Sequence, residues 1–112
     1  LNRVVPVKTG TSRYSFLAMP YYVYLLTTKN NGPLYCGVTG DLIRRTWEHK
    51  EEFVKGFTSD YHIKKLVWYE VHEDVTAAIT REKQIKKWNR AWKIEMINKM
   101  NQSWRDLFEE LV

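Results

Sequence analysis

Residues 21–53 read YYVYLLTTKNNGPLYCGVTGDLIRRTWEHKEEF, and this stretch decides the fold. Tyr21 to Thr27 concentrates aromatic and β-branched residues, and Leu34 to Val38 is a second short run of the same kind. Between them Lys29-Asn30-Asn31-Gly32-Pro33 supplies turn chemistry, so the pattern predicts a β-hairpin. Asp41 then offers a side-chain oxygen to the free N–H groups of a first helical turn. A helix running to about Phe53 would place Leu42, Thr46, His49 and Phe53 on one side.

Outward from this unit the elements are weaker. A looser segment surrounds Gly56 to Asp60, Lys65 to Val71 predicts a third strand, and Asp74 caps a second helix with the inward stripe Val75, Ala78, Ile79 and Ile85. Two further helical pieces follow, at about Ala91 to Met100 and Ser103 to Leu111, with Asn101 between them. The order β-β-α-β-α-α implies an α+β fold, a small, mostly antiparallel three-stranded sheet flanked by helices. Residues 1–20 mix Pro6, Gly10, Thr11 and Ser12 with scattered apolar residues and carry neither period. They read as an N-terminal tail, flexible or added to the chain, since Leu1 is not an initiating residue. The folded domain is expected over residues 21–112.

The chain's 112 residues and 44% hydrophobic content suit one domain with a single core. The only cysteine, Cys36, excludes an internal disulfide and, with three scattered histidines, a four-ligand structural zinc site. Flanked by Tyr35 and Gly37 with no base beside it, Cys36 reads as a packing residue. No apolar run approaches the roughly 20 residues that span a bilayer, so a cytoplasmic protein without membrane association is expected. The net charge is +5, but Arg3, Lys8 and Arg13 account for +3 of it. More telling is the local basic surface from Arg81 to Lys99, where Arg81, Lys83, Lys86, Lys87, Arg90, Lys93 and Lys99 face only Glu82 and Glu95.

Four features resist a purely structural pattern. Glu82 falls on the same helical stripe as Ile79 and Ile85, where a carboxylate needs a cation, a metal or several donors. It either pairs with a neighbour such as Lys86 or holds a metal. Arg45 and His49, four apart, project from one helix face and could embrace a phosphate, or Arg45 could answer Glu48 or Glu52 while His49 packs. Gly37, inside a strand, marks the close approach of a backbone or a ligand. The basic residues Lys83, Lys86, Lys87 and Arg90, interleaved with Trp88 and Trp92, form either a phosphate grip or a solvated face.

Read in order, Tyr22-Val23-Tyr24, the turn, Tyr35-Cys36-Gly37, Arg45, His49, Glu82 and Asn101 resemble the signature of the GIY-YIG nuclease family. The resemblance covers about residues 21–108 and is strongest with short, stand-alone bacterial members. Leu34 to Lys50 carries most of it, with support from REKQIKKW at 81–88 and MNQSWRDL at 100–107. The first motif departs from the family by reading Tyr-Val-Tyr for Gly-Ile-Tyr, and the second by reading Tyr-Cys-Gly for Tyr-Ile-Gly. Both keep the tyrosine.

The resemblance implies an endonuclease hydrolysing DNA phosphodiesters, structure-specific and serving repair or recombination. It makes Tyr35 the general base or water-orienting group and Tyr24 a residue that shapes the site; a free phenol titrates at about 10, so Tyr35 would need a cation nearby. Arg45 would stabilise charge on the scissile phosphate, and His49 would relay a proton or touch phosphate. Glu82 would hold one divalent ion, Mg2+ or Mn2+. Asn101 would fix backbone or substrate. Gly37, Lys83, Lys86, Lys87 and Arg90 complete the expected substrate-binding set, with a protein partner supplying specificity. Two readings compete: a nucleic-acid-binding module of the same fold without turnover of its own, and an interaction protein whose five tryptophans are core.

Overall fold

From Val23 to Thr27 every residue of β1 (Tyr21–Thr27) is buried. A strand buried on both faces belongs in the middle of a sheet. The computed structural model, which describes residues 20–112, puts it there: the strand order is β2-β1-β3, with β2 at Tyr35–Thr39 and β3 at Lys65–His72. Both pairings are antiparallel, and Tyr24 stands opposite Gly37 on one side and Tyr69 on the other. The tail expected over residues 1–20 lies, Pro20 apart, outside the described residues.

Because side chains alternate across a strand, β1 serves two cores. Val23 and Leu25, with Cys36, pack against Ala78 and Ile85 of α3 (Val75–Lys87), Ile97 of α4 (Arg90–Met100) and Trp104. Tyr24 and Leu26 pack on the opposite side with Leu42 of α1 (Leu42–Lys50), Ile63, Leu66 and Leu107. Two four-residue helices, α2 (Phe57–Asp60) and α5 (Phe108–Leu111), complete the α+β architecture. Among the described residues no helix is long and apolar enough to cross a membrane.

Asp41 caps α1 by accepting from the Arg44 N–H, and Asp74 caps α3 by accepting from the Ala77 N–H, as their positions suggested. Other expectations are corrected. α1 stops at Lys50: Glu52 turns to φ 58° and Phe53, expected inside, is 62% exposed and leans edge-on against Trp47. On α3 the inward stripe is Ala78, Glu82 and Ile85. Val75 sits in the first turn and Ile79 lies about 100° off the stripe, so both are exposed. Residues 103–107 are not helical; Trp104 adopts φ 58° and buries its ring there. Only Trp68 and Trp104 of the five tryptophans are core, which removes the observation behind an all-core tryptophan set.

The C-terminal segment is tied to β3 by polar contacts. The Asp106 carboxylate accepts from the Leu66 N–H (3.2 Å) and pairs with Lys50 of α1, while the Leu107 N–H donates to the Leu66 carbonyl (2.8 Å). Asn101, at the end of α4, donates to the Val67 and Arg105 carbonyls and accepts from the Arg105 backbone and guanidinium. Val67 is the extra residue where the β1–β3 register shifts.

Candidate active site

The close approach foreseen at Gly37 comes from the protein itself. A Cβ placed there would lie 2.5 Å from Oη and 2.6 Å from Cζ of Tyr24, the cross-strand partner. The missing side chain lets the Tyr24 ring lie across β2 and reach α1, where its hydroxyl meets Nε2 of His49 at 3.1 Å. His49 is buried, and its Nδ1 meets Thr58 Oγ1 at 3.2 Å. One turn earlier on α1, the Arg45 guanidinium stands near enough to the Tyr24 hydroxyl to influence it and donates through Nη1 to Glu48 at 3.1 Å.

Tyr24, His49 and Thr58 therefore form a continuous buried row in which the His49 ring is held at both nitrogens by hydroxyl groups that can each donate or accept. Burial, aided by the Arg45 charge, lowers the His49 pKa to about 4, leaving it neutral near pH 7. Burial also pushes the Tyr24 phenol far up, helped by the proximity of Tyr35 and outweighing Arg45. Tyr24 therefore stays a neutral phenol. For Arg45, burial opposes the charge, but the Tyr24 hydroxyl and the Glu48 carboxylate beside it outweigh that, and its pKa rises.

Tyr35 stands on the same sheet face, its ring 5.4 Å from that of His49 and 6.3 Å from that of Tyr24. Unlike Tyr24 it is only half-buried. Of the two site tyrosines it is the one solvent can reach.

Glu82 approaches β2 from the opposite layer. It is 9% exposed, and its carboxylate pairs with Lys86 Nζ at 2.6 Å, the i,i+4 partner that spacing allowed. The hydrogen bond to Glu82 is the main reason the Lys86 pKa is raised, and the ammonium also feels Cys36 and Tyr35. Those two residues point to opposite faces of β2, yet β2 is the sheet's edge. Among the described residues no strand lies beyond β2, so the Lys86 charge is felt by groups on both faces. Cys36 is a buried free thiol whose pKa rises to about 11, chiefly through burial and then the nearby Glu82.

Among the described residues no three His, Cys, Asp or Glu side chains gather as a metal cage. A single shielded carboxylate does fit an ion that keeps most of its waters and takes other ligands from substrate phosphate, as Mg2+ does. Such an ion would replace the Lys86 ammonium beside Glu82.

The remaining expected residues divide. Lys83 and Lys87 are exposed on α3. Arg90 is committed to the hairpin turn, its Nη2 donating to the carbonyls of Asn31 (2.6 Å) and Gly32 (2.7 Å). Asn101 is 1% exposed with both ends of its amide bonded to the chain, so of its two expected roles the structure displays the backbone one. Gly37 is covered by Tyr24 and is not open to a ligand. Sequence reasoning missed Thr58, which orients His49. It lies in an irregular polar stretch with no periodicity to single it out.

Comparison with known proteins is consistent with this geometry. The model of the GIY-YIG catalytic domain matches residues 20–98, which include Tyr24, Tyr35, Arg45, His49 and Glu82 and leave out Asn101. A protein described as "UPF0213 protein", from Syntrophus aciditrophicus (strain SB), is 34% identical over 77 residues, spanning 68% of this chain and 87% of that protein. No solved structure matches the chain. With the family model spanning most of its length, this chain belongs to the GIY-YIG catalytic domain family, and so to a nuclease superfamily whose substrates are nucleic acids.

Proposed function

We propose that this chain is a metal-dependent endonuclease that hydrolyses DNA phosphodiester bonds. The observation that carries the reading is the buried row Tyr24–His49–Thr58, with Arg45 one turn away on the same helix face and the half-open Tyr35 beside it. This arrangement holds a guanidinium and a phenol in fixed relation at the rim of the sheet. The scissile phosphate lies against Arg45, whose permanent charge and remaining donors stabilise the extra negative charge of the five-coordinate phosphorus. Tyr35 accepts a hydrogen bond from the attacking water and aims its lone pair at phosphorus; as the new P–O bond forms and the bond to the leaving oxygen breaks, the water's proton passes by way of the half-open Tyr35 hydroxyl to solvent, and solvent protonates the leaving oxygen. Neutral His49 and Tyr24 keep Arg45 pointed outward. Glu82 would hold the divalent ion, Mg2+ or Mn2+, which when bound supplies Lewis-acid neutralisation of the leaving oxygen.

Branched or damaged DNA in the cytoplasm, in repair or recombination, is the proposed setting, with a partner protein adding specificity to a small surface. A second reading draws on the ion pairs Glu82–Lys86 and Arg45–Glu48, which satisfy both key groups internally. It makes the chain a nucleic-acid-binding module that turns over only with a partner. Labelled branched, single-stranded and duplex DNA incubated with and without Mg2+ or Mn2+ separates the two. The nuclease cuts only with metal, loses cutting in Glu82→Ala, and slows by about 10²-fold or more in Tyr35→Phe. A folded wild-type protein that binds DNA but cuts none of the three would establish the binding module instead.

A further inference from the structure

We propose that Trp92 is a stacking platform for an unpaired nucleobase, so that the preferred substrate carries a single-stranded segment beside the scissile bond. The inference rests on the nucleic-acid reading above and narrows its substrate class.

Trp92 is 54% exposed. Its backbone is fixed, the main-chain N–H donating to the Asn89 side chain at 2.9 Å in the first turn of α4, and its ring meets Trp88 edge to face at 5.8 Å and 82°. Trp88 is anchored in turn, packed on the core beneath α3 and α4 and contacted across its face by the Arg81 guanidinium at 5.2 Å. A rigid, solvent-facing indole offers flat area at little entropic cost.

The surroundings select the occupant. Lys83 and Lys87 are exposed in the last turns of α3 and Lys93 follows Trp92 directly, three bases against Glu95, which suits a polyanion. Among the described residues the other exposed aromatics, Trp47, Phe53, Phe57 and Tyr61, stand where bases and acids balance: Glu48 pairs with Arg44 and Arg45, and Glu52 with His62 and Lys64, so no comparable excess of positive charge adjoins them. Bases in a duplex already stack on each other, so only an unpaired base presents a free face to an indole. The position is also apt. Trp88 ends the helix that carries Glu82, about 9 Å further along the axis, and Arg81, which touches Trp88, adjoins Glu82 in sequence.

The test measures binding to fluorescent oligothymidylate and to a blunt hairpin duplex by anisotropy, in EDTA so that nothing is cut, for wild type, Trp92→Ala, Trp92→Tyr and Trp47→Ala. Thermal melts confirm that each variant is folded. Trp92→Ala is expected to weaken single-strand binding by about tenfold, the loss of one base stack, and to leave duplex binding within about twofold. Trp92→Tyr recovers most of the loss and Trp47→Ala changes neither affinity. Equal loss on both DNAs, or no loss on the single strand, overturns the proposal. So does loss of self-association in Trp92→Ala with DNA binding intact, which would assign the face to a second copy of the chain. The nuclease reading is judged separately: Trp92-dependent binding without metal-dependent cutting keeps the platform and removes the nuclease, and cutting with Trp92-independent binding does the reverse. A folded protein that binds neither DNA overturns both.

Discussion

Replacing Gly37 by alanine adds one methyl group at the most crowded point of the site. Its carbon would sit 2.5 Å from the Tyr24 hydroxyl oxygen, against 3.4 Å for ordinary contact, so the phenol must retreat by about 0.9 Å. The ring has little room to do so. It is 1% exposed, with His49 and Tyr35 packed beside it, and its hydroxyl is bound to His49 at 3.1 Å. Overpacking of this kind costs about 1–3 kcal/mol, and opening the hydrogen bond adds about 1 kcal/mol. Together they remove about 2–4 kcal/mol from a total stability of roughly 5–15 kcal/mol, a fall in Tm of about 8–16 °C. Urea unfolding of wild type, Gly37→Ala, Tyr24→Leu and the double variant measures it. Leucine lacks the ring atoms that the new methyl would strike, so the cost of Gly37→Ala should shrink by at least about 1 kcal/mol in that background. A single-variant cost below about 0.5 kcal/mol, or an undiminished cost with Tyr24→Leu, would refute the close-approach reasoning.

Two other outcomes follow from the same geometry. His49 titrates at about 4 when folded and at about 6.5 when unfolded, so the unfolded state binds more protons between these values. Stability is complete above the higher value and is lost as pH falls through the lower, by about 2 kcal/mol once solvent screening is allowed for. His49→Gln should flatten the difference in urea midpoints between pH 7 and pH 4, and the His49 ring NMR signals should stay unmoved above pH of about 5.5. Asn101→Ala leaves the Val67 and Arg105 backbone groups without their partner and should cost about 2–4 kcal/mol in urea. Cleavage per folded molecule should be unchanged; a selective loss of cleavage would return Asn101 to the substrate.

The parts of the fold legible in the sequence are those set by neighbours in the chain. The hairpin turn and the two Asp caps depend on residues within three or four positions, and both caps form as read. The errors fall where distant contacts decide. Nothing near Phe53 announces that the chain turns to a positive φ at Glu52, and nothing within 103–107 distinguishes a helix from a segment docked on β3. In the site, Gly37 correctly signalled a close approach, but only the register of β1 against β2 identifies Tyr24 as the visitor. Glu82 with Lys86 was visible because i,i+4 pairing is local. The His49–Thr58 bond was not, because it spans a loop without pattern.

β3 is the outer strand on the side away from β2, and an exposed edge invites pairing with another chain. Residues 106 and 107 engage the Leu66 N–H and carbonyl, so at that point they stand in for a fourth strand. The family match ends at residue 98, short of this guard. Anyone excising the domain at that limit would strip Leu107 from its core and the Asp106 tether from α1. They would also uncover a templating edge. The usable boundary for a transplantable unit therefore runs to about residue 111, and a shorter fragment should be recognised first by its aggregation.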